Sequence, residues 1–209
     1  MTLKIFSPNM LKTFETCPKK FNFRYEKQIS MPVNDEIFEL GKNIHALASY
    51  YLRKENIDKM EKSLSEKEKE IWNYLKKSQY FSFETIKTEY NLSVKVGKYF
   101  FGGRLDALLR DSDGKYYILD YKTGSAPKNA KYDFQTMIYL LAVNEFYKTS
   151  DISFVYMDLK NKKDVIVDFS ADLKSEYTDK LTDITRKIEN PVSVSKKDSC
   201  VCEYSKICY

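Results

Sequence analysis

The run Phe101-Gly102-Gly103-Arg104-Leu105-Asp106-Ala107-Leu108-Leu109-Arg110, then Asp111-Ser112-Asp113-Gly114, then Lys115-Tyr116-Tyr117-Ile118-Leu119-Asp120-Tyr121-Lys122-Thr123-Gly124, decides how this chain is read. Two β-forming segments flank a turn signal. Ser112-Asp113-Gly114 suits a three-residue hairpin loop with glycine in the left-handed position, which pairs Asp111 with Lys115. Counting inward from that pair, Asp106 lies opposite Asp120, and directly paired Cβ atoms are about 4.5–5.5 Å apart. Lys122, two residues past Asp120, points to the same face. A two-residue loop would put the carboxylates on opposite faces.

The neighbours Leu105, Ala107, Leu108, Leu109, Ile118 and Leu119 are apolar, so both faces of the hairpin should be covered. Two carboxylates held together there repel, which drives one of them to protonate. A divalent cation relieves that repulsion, and hard oxygen ligands suit Mg²⁺ or Mn²⁺. An ammonium beside such an ion fits phosphodiester hydrolysis, because it can orient the attacking water or stabilise developing charge. The same spacing also fits a buried Asp–Lys ion pair with no chemistry attached.

Outward from the hairpin, Ser7-Pro8 starts a helix. Met10, Phe14, Cys17, Phe21 and Tyr25 recur on one face of it. A loop at 31–35 precedes a second helix over 36–54, and a charged third helix covers 65–77. Strands are predicted over 83–96, 98–110 and 115–122. A helix over 130–147, a strand pair at 152–159 and 164–169, and a last helix over 171–188 follow. This order predicts a single mixed α/β domain over 1–209: a helical region (1–80), a strand-rich core (81–170), and a terminal helix with a cysteine-rich tail (171–209).

With 209 residues, 43% of them hydrophobic, the chain can bury a real core. No apolar run reaches the roughly 20 residues needed to span a membrane, so no membrane partner is expected. The start carries no signal-peptide pattern, which predicts a cytoplasmic protein. The net charge of +5 permits a polyanionic partner without demanding one. The 17 tyrosines offer faces on which bases could stack. Cys17 stands near the start while Cys200, Cys202 and Cys208 crowd the end. In a cytosolic chain such a cluster points to metal binding before disulfides.

These residues resemble a known pattern. Gly103-Arg104-Leu105-Asp106 with Ile118-Leu119-Asp120-Tyr121-Lys122-Thr123-Gly124 is similar to the G-x-x-D…D-Y-K-T-G signature of RecB-like PD-(D/E)XK nucleases. Residues 7–21 resemble their S-x-x-x-L-x-x-F-x-x-C-P-x-x-F opening. Gly41 to His45 resembles their G-x-x-x-H element, and Gln135 to Tyr139 their Q-x-x-x-Y element. The late cysteines resemble the iron–sulfur branch that includes the CRISPR-adaptation exonuclease of the Cas-four type, AddB and exonuclease V.

The resemblance implies an α/β fold with a PD-(D/E)XK restriction-endonuclease-like core, its mixed central sheet flanked by helices. Asp106, Asp120 and Lys122 would be catalytic. His45, Asp106, Asp120 and the Tyr121 backbone carbonyl would bind Mg²⁺ or Mn²⁺. Gln135, Tyr139, Glu89 and Arg104 would touch DNA or brace the site. His45 is the only histidine, and Gly41 one turn earlier would let its helix approach another element closely. Cys17, Cys200, Cys202 and Cys208 would hold a [4Fe–4S] cluster stapling the two ends together. The C-x-C spacing of Cys200 and Cys202 departs from the usual C-x-x-C, and Zn²⁺ is the alternative occupant. The implied activity is a single-strand DNA exonuclease, 5′→3′ favoured, in CRISPR spacer acquisition or in recombination and repair. No P-loop motif is present, so unwinding would need a helicase partner. In a CRISPR setting the partner would be the adaptation integrase. The alternative function is a DNA-end-binding module with weak or no cleavage and a structural cluster.

Overall fold

Two prolines punctuate the start of the chain. The computed structural model describes residues 5–32, 36–190 and 202–208. A short strand not anticipated from sequence, β1 (Ile5–Phe6), leads into α1 (Pro8–Thr16), where the Ser7 hydroxyl accepts the Met10 N–H. The continuous helical face expected from Met10 to Tyr25 is broken at Cys17, which is extended (φ −159°, ψ 103°). Pro18 explains this: its ring disfavours the helical region for the preceding residue, and it has no N–H to continue the ladder. The short α2 (Pro18–Phe21) then passes into a π-type turn over Asn22–Glu26. Leu11, Phe14, Phe21 and Phe23 are buried in consequence, whereas Met10, Cys17 and Tyr25 are only half-buried.

The next helix, α3 (Glu36–Leu52), ends two residues before its predicted limit. A short α4 (Asp58–Ser63) was not anticipated. The charged α5 (Glu66–Lys76) begins on a reciprocal cap: Ser65 accepts the Glu68 N–H while Glu68 accepts the Ser65 N–H. Glu68 also accepts the Asn43 side-chain amide at 2.8 Å, tying α5 to α3.

The strands are β2 (Glu84–Val96), β3 (Tyr99–Arg110), β4 (Tyr116–Lys122), β5 (Ile152–Asp158) and β6 (Lys163–Asp168). Between β4 and β5 runs α6 (Phe134–Tyr147), and α7 (Ala171–Glu189) follows β6. The first three long strands form an antiparallel meander. The α6 crossover makes β4 and β5 parallel, and β5–β6 is antiparallel, so the sheet is mixed. One apolar layer joins α1, α6 and α7 to the sheet, and a second joins α3 and α5 to its other face. The hairpin is covered on both faces as expected: Leu105, Ala107, Leu108, Leu109, Ile118 and Leu119 are all buried. No helix among the described residues is long and apolar enough to cross a membrane.

The long strand β3 is paired with β2 along one edge. Its other edge is shared: β1 pairs with Phe100 and Phe101, and β4 with Ala107 through Arg110. Between them a stretch from Gly102 to Asp106 has no ladder partner on that edge among the described residues. The candidate site is built around this opening.

Candidate active site

The hairpin register is the one the three-residue loop demands. Asp111 N–H donates to the Lys115 carbonyl at 3.0 Å, and the ladder runs inward as far as Ala107 opposite Leu119. Asp106 and Asp120 lie one step farther, where the strands part. There the Asp106 carboxylate replaces the missing backbone partner: its Oδ2 accepts the Tyr121 N–H at 2.9 Å.

The neighbouring strand breaks its regularity at the same level. Glu89 faces Asp106 in the β2–β3 register and has φ 48°, an unusual conformation for a residue with a Cβ. Residues two apart on a strand normally share a face. Here Leu105 packs in the α6 layer but Ala107 in the α3 layer. Likewise Tyr90 packs in the α6 layer, while the Thr88 hydroxyl accepts the Ser49 hydroxyl of α3 at 3.1 Å. Both strands therefore lose their in–out alternation at the Glu89–Asp106 step. The break delivers both carboxylates to the opening.

His45 reaches that step from α3. Its Nδ1 lies 3.2 Å from Asp106 Oδ1, and its Nε2 lies 2.8 Å from the Tyr121 carbonyl oxygen. Burial by itself would lower the imidazole pKa. The hydrogen bond and charge of Asp106, the Tyr121 carbonyl and the charge of Asp120 outweigh it and push the pKa up to about 8. Both ring nitrogens face acceptors, so the doubly protonated ring satisfies both. Among the described residues, ligand atoms of His45, Glu89 and Asp106 lie within 4.8 Å of one another. One imidazole and two carboxylates, gathered where the chain already places competing acceptors, suit a divalent cation.

Asp120 is set back from this trio. It is 3% exposed, its Oδ2 lies 2.7 Å from Lys122 Nζ, and its Oδ1 accepts the Gln135 side-chain amide. Burial, reinforced by the Asp106 charge, raises its pKa to about 6 against the pull of Lys122 and His45. Gln135 also accepts from Lys122 Nζ at 3.2 Å, so one amide positions both members of the pair. One turn along α6, the Tyr139 hydroxyl donates to the Arg104 carbonyl at 3.0 Å, filling part of the unpaired edge. Gly103 makes room for it, since a Cβ there would stand 2.5 Å from the Tyr139 oxygen. Arg104 Nε pairs with Glu89 Oε2 at 2.9 Å.

The residues the sequence singled out around the hairpin thus fall into two adjoining groups, one of His45, Glu89, Arg104, Asp106, Tyr121 and Tyr139 and one of Asp120, Lys122 and Gln135. Glu89, rather than Asp120, completes the trio nearest His45 and Asp106, and the Tyr121 carbonyl is engaged by His45. Gly41 is less constrained than its motif suggests, because a Cβ there would meet only Thr123 Oγ1, at 3.4 Å. The more demanding glycine is Gly102, where a Cβ would lie 2.6 Å from the Leu92 carbonyl oxygen. An open cleft of ≈ 1040 Å³ leads to the site, and Tyr50 and Arg53 line it beside His45, Arg104, Lys122 and Tyr139. The sequence reading passed over Tyr50 and Arg53. The four-residue step from Ala46 to Tyr50 and the three-residue step from Tyr50 to Arg53, continuing the helix face beside His45, were the available signal.

At the far end, Cys17 Sγ accepts the Lys20 N–H at 3.4 Å. Cys202 and Cys208 pack with Phe23 and Tyr204 in a small cluster apart from the main layers. The Tyr204 hydroxyl donates to the Ile29 carbonyl at 2.9 Å, and Lys20 pairs with Glu203 at 2.9 Å. No disulfide joins the described cysteines. Cys200 lies outside the described residues. Among the described residues, the cysteine sulfurs form no group as close as that of His45, Glu89 and Asp106.

The family model for the PD-(D/E)XK nuclease superfamily matches residues 5–209. A curated relative, the CRISPR-associated exonuclease Cas4 of Francisella tularensis subsp. novicida (strain U112), is 28% identical over 133 residues. That alignment covers 61% of this chain and 66% of the relative, just under two thirds of its length. Among solved structures, a candidate exonuclease from Eubacterium rectale superposes with a TM-score of 0.58 at 10% identity, covering 94% of this chain and 85% of the other. The protein SSO0001 gives a TM-score of 0.53 at 17% identity, covering 100% and 87%. At these identities the two structures speak for the fold alone.

Proposed function

Because the chain belongs to the PD-(D/E)XK nuclease superfamily, we propose that it is a divalent-metal-dependent DNA nuclease that degrades single strands from an end, in the 5′→3′ direction. The observation that carries this reading is the meeting of His45, Glu89 and Asp106 beside the Asp120–Lys122 pair at the foot of an open cleft. His45, Glu89 and Asp106 would hold Mg²⁺ or Mn²⁺, with Asp120 and the Tyr121 carbonyl adjoining. A bound cation supplies a water of lowered pKa and neutralises charge on the phosphate. The protein's own groups do the rest. Lys122 holds a proton next to the scissile phosphate and stabilises the charge that develops there. Asp120 and Gln135 fix the direction of that ammonium. Arg104, largely exposed at the rim, can leave Glu89 to meet a phosphate. Tyr139 braces the strand that carries Arg104 and Asp106.

The test is digestion of single strands labelled at the 5′ or the 3′ end, with Mg²⁺, Mn²⁺ or EDTA. Loss of the 5′ label as mononucleotide, only with metal, is the expected result. Full activity in EDTA would overturn the metal assignment, and release from the 3′ end would reverse the polarity. A binding-only module is the second reading, favoured by the closeness of Asp120 to Lys122. Tight DNA binding with no turnover in either metal would establish it.

The curated relative is named a CRISPR-associated exonuclease, which supports a CRISPR setting; there the chain would trim DNA before an integrase inserts it. Recombination or repair alongside a helicase is the other setting, and co-purification with each partner separates them. The four cysteines would hold a [4Fe–4S] cluster. The docking of Cys202 and Cys208 beside the turn that follows Cys17 supports this, and four thiolates are the right donor set. Brown protein containing about four irons per chain is expected. A colourless, fully active, zinc-loaded preparation would exclude iron.

A further inference from the structure

One face of α3 continues beyond the candidate metal site. Lys42, His45, Ala46, Ser49, Tyr50 and Arg53 all line the cleft, at the three- and four-residue spacings that share a helix face. Tyr50 and its neighbour Tyr51 differ in use. Tyr51, although 37% exposed, packs edge-on against Trp72 and tilts against Phe81, two members of the apolar layer behind the helix, so its ring is already engaged there. Tyr50 is 38% exposed, and the Arg53 guanidinium lies 4.7 Å from its ring centroid. Arg53 follows directly after α3, its N–H still bonded to the Ser49 carbonyl, so it holds the helical position one turn beyond Tyr50. Its guanidinium also pairs with Glu55 at 2.6 Å. That pair is solvent-exposed, and such pairs are weak enough to exchange for a phosphate.

An exposed aromatic face with a cation against it, on the wall of a cleft that ends in phosphodiester chemistry, has the composition of a single-strand stacking platform. We propose that Tyr50 and Arg53 form a nucleotide subsite: a base of the single strand stacks on the Tyr50 ring while Arg53 takes an adjoining phosphate. Five residues of helix separate Tyr50 from His45, a rise of about 7.5 Å. At the roughly 3.4 Å spacing of stacked nucleotides, the subsite holds a base about two nucleotides from the scissile phosphate. Duplex DNA keeps its base faces covered, so the platform selects unpaired strands. This inference rests on the nuclease reading for the location of the scissile bond, but the stacking itself is read without cleavage.

The experiment uses the full chain carrying Lys122→Ala, so that DNA stays intact, and an oligonucleotide with 2-aminopurine at successive positions from its end. Quenching at one position, lost with Tyr50→Ala and kept with Tyr50→Trp, is the expected result. Tyr50→Ala should weaken single-strand binding about 5- to 150-fold. Arg53→Ala should lower the slope of log affinity against log salt by about 0.7, one phosphate contact on a single strand. Unchanged quenching and affinity in Tyr50→Ala would overturn the subsite, whether or not the parent protein cleaves DNA. Quenching through Tyr50, together with no cleavage by the chain that keeps Lys122, would sink the nuclease reading and leave the platform standing.

Discussion

At the scale of single residues, the Glu89–Asp106 step concentrates the chemistry. Asp106→Ala removes a carboxylate that meets both His45 and the Tyr121 amide, and Lys122→Ala removes the ammonium. Each should reduce cleavage by at least about 10²–10³-fold, with circular dichroism and DNA binding largely retained. Residual activity near the parent level in both would defeat the assignment. Gly103→Ala drives a Cβ into the Tyr139 hydroxyl and should destabilise by about 1–3 kcal/mol. Tyr139→Phe removes that oxygen, so the double variant should lose less than the two single losses combined. Strict additivity in denaturant melts would mean the contact is not the cause. The pH response follows from His45. Its folded pKa of about 8 stands above its ordinary value of 6.5, so its contribution is full below 6.5 and fades as pH rises through 8. Asp120, raised from 3.8 to about 6, acts in the same sense but lower on the scale: its contribution is full below 3.8 and is already lost once the pH has risen through 6, which leaves the range above 6 to His45. Melting temperature in EDTA should therefore fall between pH 6 and 9. Mn²⁺ should restore it most at the upper end, where the His45 proton no longer competes. A flat profile, or the same slope in His45→Gln, would refute this.

At the scale of elements, α3 is placed by α5. Glu68 closes the α5 cap and accepts the Asn43 amide from α3, the helix that carries His45 and the proposed stacking pair. Ser65→Ala should cost about 1 kcal/mol through loss of the cap, seen as a lower melting temperature, with kcat on single strands little changed. A fall in kcat larger than the fall in stability would show that α5 sets the geometry of the site directly. The hairpin was legible as an element because its loop chemistry fixes its register. The break in alternation on β2 and β3 was not legible, because nothing in Glu89 or Asp106 as residue types demands a left-handed turn within a strand.

At the scale of the whole molecule, the question is how the two ends are held. Tyr204, Glu203 and Cys208 meet the segment from Lys20 to Ile29, so the tail is pinned to the start of the chain. Cys208→Ser should bleach the protein, expose the tail to limited proteolysis and lower the melting temperature. A colourless parent with an equally protected tail would show that packing at Phe23 and Tyr204 suffices.

The order of helices and strands and the hairpin register were written in the sequence, because periodicity, prolines and turn residues act locally, whereas the mixed sheet was legible only through motif resemblance, since it pairs strands some 36 positions apart. The grouping of His45 with Asp106 was legible only through motif resemblance, since it joins residues 61 positions apart. Which carboxylate stands third beside them was left to the tertiary structure. The ladder ends at Ala107, Asp106 turns to cap the Tyr121 amide, and a strand twisted at Glu89 swings a second acid into the opening while Gln135 holds Asp120 back against Lys122. Those outcomes depend on where the strands separate, a property of three packed elements together and of none of them alone.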